Sequence, residues 1–192
     1  MSTVDAAIHS ELAAIARHEA GHTIVAAAIG CTVKNVYIRL QHGALVGMTI
    51  YTPLSALKRS EQVAIAIAGL LADTEFKHLR LSTPPVSAFA VPETPARSAT
   101  SARWKKAITA YRFDALADPL APGDLGQIQH ILTGCETPDA IYRRGETLAR
   151  KTLAANRLVI WALSQRLLSC GNLRGAPLQS LLAEIKLADI KR

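Results

Sequence analysis

Aromatic residues are scarce, 5% of 192 positions, although hydrophobic residues make up 49%. Sandwiches and barrels lean on aromatic and β-branched side chains, so a chain dominated by alanine and leucine points to packed helices. Cysteines occur only at 31, 135 and 170, with no close pair. That spacing argues against a disulfide framework and a structural zinc knuckle, and leaves buried or incidental thiols. No apolar run reaches the roughly 18 residues of a membrane span; the longest candidates are 24–31 and 63–72. Residues 1–9 lack the basic start and apolar middle of a secretion signal, so a cytoplasmic protein is expected. Acidic residues are outnumbered, 15 against 22 basic, for a formal net charge of +7. Basic clusters lie at Arg103, Lys105, Lys106 and Arg112 and at Arg143, Arg144, Arg150 and Lys151. Such clusters can meet nucleic acid, anionic membrane or acidic protein, but most are solvated helix faces.

What is present is concentrated in His18-Glu19-Ala20-Gly21-His22, inside an apolar stretch over 8–29. Two histidines four apart on a helix project from one face about one turn from each other, so both imidazoles can reach a single metal ion. Glu19 follows the first ligand directly and can lean over the same site without binding the metal, where a general base for an attacking water must stand. This is the His-Glu-x-x-His pattern of zinc peptidases. Apolar residues on every side, with Gly30 as a C-terminal cap, predict a buried central helix. A buried helix rarely carries two histidines and a glutamate without partners, because unpaired polar groups there cost several kcal/mol each.

Residues 1–7 read as a loose terminus with Thr3 or Asp5 as helix cap. The β-branched alternation over 32–40 predicts a strand, Gln41-His42-Gly43 a turn, and 44–52 a second strand closed by Pro53. An antiparallel hairpin beside the metal helix is the economical pairing. A second buried helix is predicted over 55–79, where Gly69 permits close approach of a neighbour. Pro84, Pro85, Pro92 and Pro95 mark 82–101 as a loop or lid, and 103–116 reads as a basic amphipathic helix. Further helices are predicted over 125–132, from Pro138 with Thr137 as cap to about 155, over 157–168, and from Pro177 to near 190. The fold class is mainly α, within α+β.

A catalytic zinc takes three protein ligands and keeps one position open. His42, Asp73, Glu75, His78, Asp114, Asp118, Asp124, His130 and Glu136 all lie downstream, and spacing does not choose among them. An ordered set of segments carries more information. After the histidine helix come Val36-Tyr37-Ile38, Gly43-Ala44-Leu45-Val46-Gly47-Met48-Thr49-Ile50-Tyr51-Thr52-Pro53, Ala68-Gly69-Leu70-Leu71-Ala72-Asp73 and Gly123-Asp124-Leu125. In this order the chain resembles the peptidase domain of the FtsH-type ATP-dependent zinc metalloproteases over most of residues 8–190.

The resemblance implies a zincin-like helical domain in which His18, His22 and Asp124 hold Zn2+ and Glu19 is the general base. Gly123-Asp124-Leu125 stands where the family has Asn-Asp-Leu, whose aspartate is the third ligand. Without the resemblance, Asp124 reads as a helix cap or a dipole-complementing charge; Asp73 is the next choice as ligand or as partner to a histidine. The family's mode of substrate binding implies that an extended peptide pairs along Leu45, Val46, Gly47, Met48 and Thr49, which suits backbone recognition of any unfolded chain. The same hairpin could simply cover the metal helix, and both roles can hold together. One domain over 1–192 is expected: metal helix, hairpin and second helix over 8–78, an insertion over 79–122, and third-ligand segment with C-terminal helices over 123–192.

Three departures from the family stand out. The ATPase module and membrane anchor that precede this domain there have no counterpart, so hydrolysis without its own ATPase is expected. Ala68-Gly69-Leu70 replaces the usual second glycine and arginine, removing a charge. The segment 79–122 is longer than the motifs require and could be a lid, a partner surface or a plug.

The function expected is a zinc-dependent metalloendopeptidase acting on unfolded or extended polypeptide. A separate ATPase or regulatory protein and a homo-oligomer are the partners considered; neither a membrane span nor nucleic acid is expected. A second reading is a catalytically silent, metal-stabilised module that binds protein or nucleic acid through the helix over 103–112. Glu19 argues against it, since a purely structural site has no use for that residue. A third is a regulatory peptidase with one specific partner, such as a transcriptional repressor.

Overall fold

The computed structural model describes residues 3–41, 44–53, 56–79, 81 and 123–185. Within them, six helices and a small antiparallel sheet follow one another as α1 (Thr3–Ile29), β1 (Thr32–Gln41), β2 (Ala44–Thr52), α2 (Arg59–Glu75), α3 (Asp124–Leu132), α4 (Pro138–Ala155), α5 (Arg157–Cys170), β3 (Asn172–Arg174) and α6 (Gly175–Leu182). The loop and basic helix predicted over 82–116 lie outside the described residues.

The all-round apolar character of α1 makes it the axis of the molecule. Every residue from 19 to 26 is buried, and α2, α5 and the β-hairpin pack around it. The helix begins at Thr3 rather than near Ile8, so residues 3–7 of the loose terminus expected over 1–7 are instead the first turns of α1, and residues 1 and 2 lie outside the described set. It ends where Gly30 turns to a φ of 99°; there the Gly30 and Cys31 N–H groups donate to the carbonyls of Ala27 and Ala26 at 3.0 and 2.9 Å.

Helix α2 buries ten consecutive residues, Val63 to Ala72, between α1 and α4. It is shorter than the predicted 55–79. Lys58 is extended, and its N–H donates to Glu61 Oε2 at 2.8 Å, which sets the helix start. Helices α1 and α2 meet at small residues: a Cβ at Gly21 would stand 2.5 Å from the Ala68 carbonyl oxygen and 2.6 Å from Ala72 Cβ.

The hairpin forms in the expected order, with Thr32 opposite Thr52 and Gln41 opposite Ala44, and with a register irregularity between Val33 and Asn35. A third strand was not foreseen. Residues 172–174 fall between the helices predicted over 157–168 and from Pro177, yet β3 pairs antiparallel with β1 through Asn35–Arg174 and Tyr37–Asn172. The sheet order is β2-β1-β3. Among the described residues, β2 is therefore an edge strand. The last helix, α6, starts at Gly175 and ends at Leu182, short of the predicted 190, and residues 186–192 lie outside the described set. No helix among the described residues is long and apolar enough to cross a membrane.

Candidate metal centre

The spacing of His18 and His22 on α1 puts both rings on one face, with centroids 4.7 Å apart and planes at 77°. Their Nε2 atoms lie 3.0 Å from each other. Asp124, the first residue of α3, brings Oδ2 to 2.9 Å from His18 Nε2 and 3.2 Å from His22 Nε2. Gly123 precedes it with φ 68° and ψ −139°, a backbone setting that an L side chain rarely adopts.

These three groups could hold a metal ion. The donor chemistry fits one. The Ile65 carbonyl, 2.7 Å from His22 Nδ1, can only accept, so Nδ1 carries the proton and Nε2 keeps its lone pair for a ligand. A tetrahedral zinc with bonds of about 2.0–2.1 Å separates its ligand atoms by about 3.3 Å. The triangle at His18, His22 and Asp124 needs to open by only a few tenths of an ångström to match. Gly69 on α2 leaves the space: a Cβ there would lie 2.4 Å from His22 Nε2 and 2.6 Å from His18 Nε2.

Electrostatics tie the set together. Burial pulls the His22 pKa down, but the charge and hydrogen bond of Asp124, then the Glu19 charge and the Ile65 carbonyl, outweigh it and raise it to about 9. Burial pushes Asp124 up, yet the charges and hydrogen bonds of His22 and His18 hold it well below the usual carboxylate range. Two bare Nε2 lone pairs 3.0 Å apart, facing a carboxylate, repel unless a cation or a proton sits among them.

Glu19 is 5% exposed and lies on the same cavity of about 480 Å³ as the three donors. Its Oε2 accepts from Thr49 Oγ1 at 2.8 Å, and its Oε1 rests where a Cβ at Gly47 would stand, 2.5 Å away. Gly47, Met48, Thr49 and Tyr51 of β2 form one wall; Ile65, Gly123 and Gln127 complete the lining. Of the strand residues named as a substrate-binding edge, Leu45 packs against the core and Val46, like Leu45, does not line the cavity. Burial, followed by the influence of Cys31 and Asp124, raises the Tyr51 hydroxyl, which therefore stays protonated.

The other ligand candidates are placed elsewhere. Asp73 accepts from buried Arg17 at 2.9 Å, Glu75 pairs with Arg150, and His78 Nε2 lies 2.6 Å from Arg157 Nη2. His130 and Glu136 are exposed; His42, Asp114 and Asp118 lie outside the described residues. The expected substrate strand extends to Tyr51, which does line the cavity; sequence reasoning missed Ile65 and Gln127. Gln127 follows Asp124 by three residues, so it shares a helix face with a residue already singled out. Ile65 acts through its backbone carbonyl, which leaves no mark in the sequence. No protein-family model matches this chain and no curated protein matches it.

Proposed function

We propose that this chain is a zinc-dependent metallopeptidase that hydrolyses peptide bonds in unfolded or extended protein segments. The observation that carries the reading is the convergence of His18 Nε2, His22 Nε2 and Asp124 Oδ2 within 3.2 Å of one another, on a cavity that also holds the carboxylate of Glu19. Two histidines and a carboxylate also suit ferrous iron; the Glu19 carboxylate beside them, outside the donor set, favours hydrolysis.

His18, His22 and Asp124 would hold the ion, and His22 is oriented by its bond to the Ile65 carbonyl. Zinc, when bound, supplies a Lewis acid that acidifies water and steadies an oxyanion. Glu19 takes the proton as water adds to the scissile carbonyl and returns it to the leaving amine. Burial of Glu19 keeps bulk water from competing for that proton. The edge strand β2 offers backbone groups along the cavity wall, and an extended peptide pairing there is gripped with little side-chain preference.

The test is hydrolysis of casein by the zinc-loaded chain, after removal of metal with a chelator, and after zinc is restored. Cleavage that disappears and returns with zinc, and is absent in Glu19→Gln, supports the reading. Zinc-loaded protein that leaves casein intact favours the silent binding module.

A further inference from the structure

Thr49 sits at a junction that the hydrolytic chemistry does not itself require. Its Oγ1 is 2.8 Å from Glu19 Oε2, 3.1 Å from the Glu19 backbone carbonyl oxygen and 3.2 Å from Thr23 Oγ1. A threonine hydroxyl has one proton to give. The carboxylate is the nearest and strongest acceptor, since a hydrogen bond to an ionised oxygen is about twice as strong as a neutral one. With that proton committed, the Thr49 oxygen is left to accept from Thr23, which is fully buried one turn beyond Glu19 on α1. Two hydroxyls then form a chain ending on Glu19, each polarising the next.

The rest of the surroundings points the same way. Thr49 is held in the hairpin opposite Val36, so its hydroxyl is anchored to the sheet rather than to the helix that carries Glu19. Its branched Cβ restricts χ1. Gly47, two residues earlier on the same face of β2, leaves the space that the Glu19 side chain fills: a Cβ there would lie 2.6 Å from Glu19 Cγ and 2.8 Å from Cδ. A glutamate side chain has three rotatable bonds and is costly to immobilise. Here one strand supplies both the gap and the tether.

We propose that Thr49 is a positioning residue for Glu19, its hydroxyl fixing Oε2 so that Oε1 is the oxygen free to take and return a proton. This rests on the metallopeptidase reading for its catalytic consequence, but not for the placement itself. It gives the Thr49 side chain a role apart from the backbone pairing expected of β2: the hydroxyl serves the base.

The experiment compares Thr49→Val, which keeps shape and loses the hydroxyl, with Thr49→Ser, which keeps the hydroxyl. Casein-derived peptide hydrolysis, zinc affinity by chelator competition and melting temperature are measured for both. Thr49→Val is expected to lose kcat by roughly 10- to 100-fold, the scale on which a misplaced catalytic group costs rate, with KM and zinc affinity unchanged. Thr49→Ser retains most of kcat. A Thr49→Val protein with unaltered kcat overturns the proposal, and so does a raised KM at constant kcat, which assigns Thr49 to substrate. Should the unmodified chain fail to cleave, the peptidase reading falls, and crystal structures of the zinc-loaded unmodified and Thr49→Val proteins decide the placement. A Glu19 carboxylate that leaves its seat over Gly47 in the variant supports the tether; one that stays overturns it.

Discussion

Gly69 lies against His22 so closely that a Cβ added to it would stand 2.4 Å from the imidazole Nε2, the atom that faces Asp124. Alanine there improves helix propensity by about 1 kcal/mol, so the fold should tolerate the change. The rings can yield only by swinging out of the donor triangle. Gly69→Ala is therefore expected to keep its melting temperature above about pH 9, where the His22–Asp124 contribution is gone, and to lose zinc affinity by roughly 10- to 100-fold or more, the scale seen when ligand orientation is disturbed. Chelator competition measures it, and an unaltered affinity contradicts the placement.

Gly21 makes the opposite case. Its added Cβ would meet the Ala68 carbonyl oxygen at 2.5 Å, a backbone atom that cannot rotate away. Helices α1 and α2 would have to separate, and overpacking of this kind costs about 1–3 kcal/mol against the ~1 kcal/mol gained in propensity. Above about pH 9, Gly21→Ala should lower the urea midpoint, while Gly69→Ala leaves it in place.

Stripped of metal, the centre should depend on pH. The His22 pKa is raised from 6.5 to about 9 in the folded chain. Its contribution to stability is fully present below about 6.5 and disappears as pH rises through 9, a range worth up to about 3 kcal/mol. Asp124 is lowered from 3.8, so its contribution is present above that value and is lost as pH falls further. Metal-free protein should be most stable between about pH 4 and 6.5 on this account. Zinc must displace the His22 proton, so uptake at pH 7 should release a proton, measurable by calorimetry in buffers of different ionisation enthalpy. Uptake with no proton release contradicts it.

Arg17 and Asp73 tie α1 to α2 one residue before His18, with side-chain exposures of 9% and 42%. The asymmetry decides which half matters. Asp73→Ala strands a buried guanidinium and should cost about 3–5 kcal/mol, whereas Arg17→Met leaves a carboxylate that water can reach and should cost far less. The double variant should recover most of the loss. Equal single losses in urea unfolding contradict this.

The sequence carried the centre of the molecule well because its signals there are local. His18 and His22 are four residues apart, the alternation over 32–40 is strong, and the apolar runs of α1 and α2 are long enough to require burial. Asp124 was different. It meets His22 from 102 residues away, and nothing in its own neighbourhood separates a ligand from a helix-start charge; only the ordered likeness to a family singled it out.

What stayed illegible depends on partners. Strand β3 has three residues, too few for a period, and is a strand because β1 offers it Asn35 and Tyr37. The early start of α1 and early end of α6 follow local termination that propensity fixes poorly. The Ile65 carbonyl, which sets the tautomer of His22, belongs to a residue that reads only as core. The contact of Thr49 with Glu19 joins a strand to a helix across 30 residues and had no sequence counterpart beyond the strand itself.

The central claim is tested most directly by measuring zinc per chain and casein cleavage together, in the unmodified protein and in Glu19→Gln. One zinc per chain in both proteins, with cleavage in the first and none in the second, is the predicted result. Cleavage that persists in Glu19→Gln, or a chain that binds no zinc, contradicts it.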